Sequence, residues 1–255
     1  MTFEENNKKD EKRPRLESVH PFKFRCDPGV SCFTQCCQDI TILLTPYDVL
    51  RMKNSLGISS EEFIDKYTLM IPKKGLLIPM VVLEMNKSDK KCPFVSEKGC
   101  GIYKDRPWPC RMYPLDMNDD GTYSVITNSS RCLGLKENDI KKISDWLEEQ
   151  DISPYEEMNE YLSGLTIQLQ SVDLDINNPK IQQMIVMALY NIDKFREFVF
   201  KSSFLDRLEL DDPDLLEKIQ EDDTELLKFA FDWIKFGLFG KKVFWVKENS
   251  QQAKK

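Results

Sequence analysis

Hydrophobic spacing divides the chain. The second half repeats apolar residues at helical intervals, whereas the first half strings short apolar runs between turn residues. From about Glu137 the stretches 139–150, 154–170, 179–200, 213–219 and 224–239 each predict a helix. Asp, Ser and Pro punctuate them as caps and first-turn residues. In the third, Ile181, Met184, Ile185, Ala188, Leu189, Ile192, Phe195 and Val199 share one face, the stripe of a core helix. Earlier, 39–44 (DITILL) reads as a short β-branched strand. Thr45-Pro46-Tyr47-Asp48 opens a helix that Gly57 stops, and Ser59-Ser60-Glu61-Glu62 opens another. The run 76–85 is a strand candidate that Pro79 interrupts. Residues 123–127, after Asn118-Asp119-Asp120-Gly121, read as the second arm of a hairpin.

These elements predict an α+β protein, mostly α-helical, with a small β element around a cysteine-rich metal site. The organisation expected is a disordered, charged tail (1–19), a cysteine-rich domain (20–135), a helical region packed on it (136–245) and a frayed C-terminus (246–255).

Composition narrows the class. Hydrophobic residues at 41% and charged residues at 31% suit a soluble globular chain. No apolar run is long enough to span a membrane. A net charge of −7 argues against broad nucleic-acid binding. The charged N-terminus has no apolar h-region, so a cytoplasmic setting with reduced thiols is expected. His20 is the single histidine, so a His-based triad or dyad has one candidate at most, expected to be a surface residue, and the two-histidine zinc-protease motif is excluded. The acidic run 206–225 is either a solvated surface or a docking face for a basic protein partner.

The candidate chemistry lies in eight cysteines confined to one half: Cys26, Cys32, Cys36, Cys37, Cys92, Cys100, Cys110 and Cys132. Thiolates are the preferred ligands of zinc, copper(I) and iron–sulfur centres. A disulfide network is disfavoured, since two bridges leaving the adjacent Cys36 and Cys37 would crowd. Arg25, Lys90, Lys91, Lys98, Lys104, Arg106, Arg111 and Arg131 flank the thiols. Their charge would offset the about −2 of a four-thiolate centre. Only Cys32/Cys36 fits a zinc-knuckle spacing, and the radical S-adenosylmethionine pattern is missing. The eight thiols allow two four-ligand sites, or one site with spare cysteines, of which Cys132 best fits a small buried hydrophobe. At least one iron–sulfur cluster is favoured; zinc stays open.

The order of motifs resembles a known family. Phe24-Arg25-Cys26, Cys32-Phe33-Thr34-Gln35-Cys36-Cys37, then Leu44-Thr45-Pro46 and Asp48, resemble the opening of the YkgJ family of cysteine-cluster proteins, with their zinc- or iron-chelating CxxCxxCC domain. Cys92-Pro93-Phe94, Gly99-Cys100, Ile102-Tyr103, Arg106-Pro107 and Cys110-Arg111-Met112-Tyr113-Pro114 match its second segment. The first spacing departs from the family's, being x5 and x3, which leaves the ligand roles of Cys26 and Cys32 open. The resemblance implies metal or cluster binding. A more distant similarity to flagellin lysine N-methylase implies S-adenosylmethionine-dependent methylation of a protein lysine, although no GxGxxG loop is present. The expected site therefore comprises the eight cysteines as ligands of a [4Fe–4S] cluster or zinc. Arg106, Arg111 and Tyr113 are expected beside the centre, with Tyr103 and Trp108 shielding it. The functions left open are a structural, redox or metal-delivery role, a protein-modifying methylase, and a zinc-stapled interaction module.

Overall fold

Turn and cap chemistry sets the ends of most elements in this computed structural model, which describes residues 13–72, 76–171, 175, 178–209, 214–240 and 245–246. In chain order, β1 (Pro21–Lys23) leads to a cysteine loop closed by the 3₁₀ turn Gln35–Cys37. Next come α1 (Pro46–Leu56), α2 (Ser60–Tyr67) and the hairpin of β2 (Thr68–Ile71) and β3 (Met80–Leu83). The second cysteine segment holds the hairpin of β4 (Val95–Ser96) and β5 (Gly99–Cys100), the 3₁₀ turn Tyr103–Asp105 and α3 (Trp108–Met112). The strands β6 (Leu115–Met117) and β7 (Tyr123–Val125) pair next, followed by the 3₁₀ turn Leu133–Lys136, β8 (Ile140–Lys142) and α4 (Ile143–Glu149). The remainder comprises α5 (Ser153–Gln170), α6 (Pro179–Tyr190), α7 (Ile192–Lys201), β9 (Leu208–Glu209), α8 (Leu215–Glu221), α9 (Asp223–Phe239) and β10 (Trp245–Val246). Among the described residues every sheet is a two-stranded antiparallel ladder. The fold is α+β and mostly helical.

Two units divide the chain: Met1–Ile42 with Met85–Pro154, and Leu43–Glu84 with Tyr155–Lys255. The first contains every cysteine. Its core joins Phe22, Phe24, Met112, Leu115, Tyr123, Cys132, Ile143, Trp146 and Ile152. Phe24 meets the Trp146 ring edge-on at 5.0 Å, and β8 returns to pair with β1. Residues 1–12 of the expected disordered tail lie outside the described residues. Leu16, within that tail, bridges to Tyr123.

In the second unit α9 buries Leu226, Leu227, Phe229, Ala230, Phe231 and Ile234, and it packs on α1, α6, α7 and α8. The expected stripe on α6 and α7 is the core there, with Ile185, Ala188, Leu189, Ile192, Phe195 and Val199 buried. An internal ion network ties these helices. Lys53 Nζ lies 3.1 Å from Asp193 Oδ1 and 3.0 Å from Asp223 Oδ2. Asp193 Oδ2 accepts from Ser60 N–H at 2.6 Å. Within the acidic run, Asp222 caps α9 by accepting from Thr224 N–H at 2.6 Å, and Asp223 also pairs with Arg196. Asp211, Asp212 and Pro213 lie outside the described residues.

Three local expectations change. The run 39–44 forms no strand; it contributes one isolated bridge, Leu43 to Val82, because the chain leaves the first unit for the second at this point. The helix expected from 139 begins at Ile143, since 140–142 pair with β1 instead. The single helix expected over 179–200 is two, broken at Asn191, whose side chain accepts from Lys194 N–H and caps α7.

Candidate metal centre

The first cysteine loop is built from successive tight turns. Asp27 Oδ1 accepts from Gly29 N–H at 2.7 Å, and Val30 N–H reaches Asp27 O at 3.0 Å. Gln35 N–H bonds Cys32 O, and Cys37 N–H bonds Thr34 O, both at 3.0 Å. Thr34 accepts a left-handed backbone (φ 65°) to make the last turn, a conformation that costs a non-glycine residue about 1 kcal/mol or more. This coiling carries Cys26, Cys32, Cys36 and Cys37 on a short stretch of chain.

Two later segments close onto that loop, each at a different place. Arg25 N–H donates to Gly134 O at 3.2 Å, and Leu133 N–H donates to Cys32 Sγ at 3.2 Å. The loop carrying Cys132 therefore lies against Cys26 and Cys32. It is shaped by Asn128, whose side chain accepts from Ser130 N–H and Arg131 N–H while its carbonyl accepts from Cys132 N–H. On the other side, Cys92 N–H donates to Cys37 O at 2.8 Å, and Gln38 bridges to Lys91. The hairpin after Cys92 brings Cys100 opposite Val95. Gly99 is needed there, since its φ is 107° and an added Cβ would lie 3.1 Å from the Phe33 ring.

The thiols fall into two neighbourhoods. Cys26 lies within electrostatic range of Cys36, Cys132 and Cys32. Cys37 lies within range of Cys110 and Cys92, and Cys92 of Cys100. The neighbourhoods meet at the doublet, where the Cys36 and Cys37 side chains hydrogen-bond each other. That bond holds Cys36 down to about 7 and pushes Cys37 up. Cys26 is an exposed residue as a whole, yet burial of its thiol, joined by the neighbouring sulfurs, pushes it up to about 12. Burial likewise raises Cys92, Cys100 and Cys132. All eight cysteines are free thiols.

Backbone donors mark five of the sulfurs, Cys36 through its own N–H. Phe94 and Val95 N–H point at Cys92, Ile102 N–H at Cys100, and Gly134 and Leu135 N–H at Cys132; Leu133 serves Cys32. Such N–H groups stabilise thiolate over thiol and are the usual surroundings of metal-bound sulfur. The neighbourhoods are nevertheless open: among the described residues no three His, Cys, Asp or Glu side chains converge as a closed cage. The donor chemistry, thiols with backbone N–H groups beside them, suits a thiolate-bound ion.

The expected companions occupy distinct positions. Tyr113 hydroxyl bonds Cys132 and Thr127, and burial pushes its phenol up to about 12. Arg106 lies within electrostatic range of Cys100 and Cys110. Its guanidinium donates to Tyr103 O and Gln150 Oε1 and stacks 3.8 Å from the Tyr103 ring centroid. Arg111 is buried and donates to the carbonyls of Arg106, Gln150 and Lys104; it thereby fixes α3, which carries Cys110. Arg25 pairs with Asp27 and Glu137, and Lys90 with Asp39. His20 Nδ1 accepts from Glu17 N–H at 2.9 Å, a local turn role. Sequence reasoning missed Thr127, Gln150 and the backbone donors. Only the Cys-x-Gly spacing of Cys132 and Gly134 hinted at the last.

Residues 25–132 match the family model CxxCxxCC, described as "Putative zinc- or iron-chelating domain". No curated protein and no solved structure matches the chain. The matched residues begin beside Cys26 and end on Cys132, so they contain all eight thiols. By this match and by its motifs, the segment that bears the cysteines is similar to the CxxCxxCC domain.

Proposed function

We propose that the chain is an iron–sulfur protein, its cysteine-rich segment holding the inorganic centre through thiolates alone. The observation that carries this reading is the set of backbone N–H groups aimed at Cys32, Cys92, Cys100 and Cys132. A cluster carrying several bridging sulfides and a net negative charge depends on such donors. A cationic neighbour serves the same end, and Arg106 provides one beside Cys100 and Cys110. Spacing supports the same choice, because the short separation that structural zinc prefers occurs only from Cys32 to the Cys36-Cys37 doublet, with no second knuckle. When bound, the centre would supply a one-electron couple and a cross-link between chain segments far apart in sequence. Cys26, Cys32, Cys36, Cys37, Cys92, Cys100, Cys110 and Cys132 are its ligand pool. Tyr113 orients Cys132, and Arg111 holds the helix that presents Cys110.

The test is purification without oxygen, followed by iron, zinc and acid-labile sulfide analysis and a visible spectrum. Iron and sulfide in equal amounts, with broad brown absorption, are expected. Stoichiometric zinc without sulfide would replace the cluster by a structural ion. Neither metal at all would end the reading of this segment as a metal site.

A further inference from the structure

We infer that the eight cysteines form two separate four-thiolate sites that part company at the Cys36-Cys37 doublet. One site takes Cys26, Cys32, Cys36 and Cys132; the other takes Cys37, Cys92, Cys100 and Cys110. The inference rests on the metal-binding reading above and adds which thiols serve which ion.

Three observations carry it. First, the segments that close onto the first loop do so at different places. The Cys132 loop bonds to Arg25 and to Cys32 Sγ, whereas the Cys92 segment bonds to Cys37 O. Second, the thiol neighbours partition without overlap except at the doublet. Cys26 has Cys32, Cys36 and Cys132 around it. Around Cys37, apart from Cys36 itself, are Cys92 and Cys110. Third, the doublet sits at the end of a 3₁₀ turn, where successive side chains leave the axis about 120° apart. Adjacent residues can then serve different centres although their thiols touch. The thiols of each group stand apart among the described residues and are to be drawn together by the ion, and each group already has sulfurs with backbone N–H donors, Cys32, Cys36 and Cys132 in one, Cys92 and Cys100 in the other. A divalent ion entering either group displaces the protons of its four thiols to the buffer, leaving a centre of about −2 charge.

Cobalt(II) is a probe that reads thiolate sites one ion at a time, whatever metal the cell loads. The full-length chain, reduced and stripped of metal, is titrated and followed by its sulfur-to-cobalt absorption. Wild type is expected to bind two ions. Cys36→Ser and Cys37→Ser are each expected to bind one, and the double variant none. Because these neighbours touch, Cys132→Ser and Cys92→Ser repeat the split from loops distant in sequence. Each should halve the capacity, and the pair should abolish it, with circular dichroism reporting that the helices persist. A single ion in wild type, lost equally on substitution in either group, would overturn the division while leaving metal binding intact. No ion in wild type would overturn the metal-binding reading itself.

Discussion

A single methyl group at position 134 would pry the cysteine loops apart. An added Cβ would lie 2.2 Å from Arg25 O, with Phe24 and the Arg25 carbonyl carbon also in its way. The obstacle is backbone, which has no rotamer to change, and both neighbours matter: Arg25 precedes Cys26, and Gly134 follows Cys132 by two residues. Gly134→Ala is expected to cost about 2 kcal/mol, the middle of the range for forced overpacking. Urea unfolding checks the cost, and loss of metal from the site holding Cys26 and Cys132 checks the locality. At Tyr113 the change is milder. Its hydroxyl bonds Cys132, so Tyr113→Phe is expected to weaken metal held there about tenfold, the lower end for loss of an outer partner. Competition with a chelator measures this, and the group containing Cys92 should be unaffected. At this scale the thiols themselves were legible, because cysteine announces itself. The donors that hold them were not, since any residue's N–H serves and no side chain marks it.

Local signals served best within elements. The Thr45 to Asp48 capping box forms as its residues suggest, Asp48 N–H donating to Thr45 Oγ1 while Thr45 N–H donates back to Asp48. Gly57 ends α1 in the left-handed conformation that favours glycine. The failures are those of tertiary competition. The apolar run 39–44 is strand-like by propensity but finds no continuous partner, and Asn191 cuts an otherwise regular stripe because its side chain caps the helix that follows. The Lys53 network lay beyond local reading, since its members come from positions 53, 60, 193, 196 and 223. Lys53 is 7% exposed in its side chain, against 39% for Asp193 and 19% for Asp223. Removing it with Lys53→Met leaves two carboxylates facing each other without their shared cation. About 2 kcal/mol of stability is expected to go, less than for a fully buried pair because water reaches Asp193. The network also sets a pH dependence. Burial pushes Asp193 and Asp223 up, but hydrogen bonds, from Ser60 N–H at Asp193 and from Asn54 at Asp223, together with Lys53 at both, hold each below its ordinary 3.8. A carboxylate held low when folded adds stability above its unfolded value, and that stability fades as pH falls through the lowered one. Urea midpoints should therefore drop as the pH goes below 3.8, and the drop should be shallower in Lys53→Met.

At the scale of the molecule the two units differ in what holds them. The second has long helices, α5 of 18 residues and α9 of 17, with a broad apolar interior. The first has none of that length among the described residues: α3 has five residues, α4 seven, and its strands two or three. Isolated helices shorter than about 12 residues and lone two-stranded hairpins are marginal in water. Its core is a cluster of nine buried residues in which Cys132 takes part. Hydrophobic spacing alone did not show that 43–84, lying between the cysteine segments in sequence, folds with the helices; which elements share a core depends on faces meeting across the chain. The consequence is an asymmetry in what metal removal does. The proposed four-thiolate centres would tie loops that are remote in sequence, and their binding energy would be folding energy for segments with little core of their own. Chelation of the full-length chain is therefore expected to loosen one unit selectively. In hydrogen exchange, amides of 20–37 and 92–142 should lose protection, whereas those of α6 and α9 should keep theirs. Equal loss in both units would mean that the chain folds as one cooperative block. No change in either would mean that the first unit's core suffices without metal, and the inorganic centre would then have to be explained by its chemistry alone.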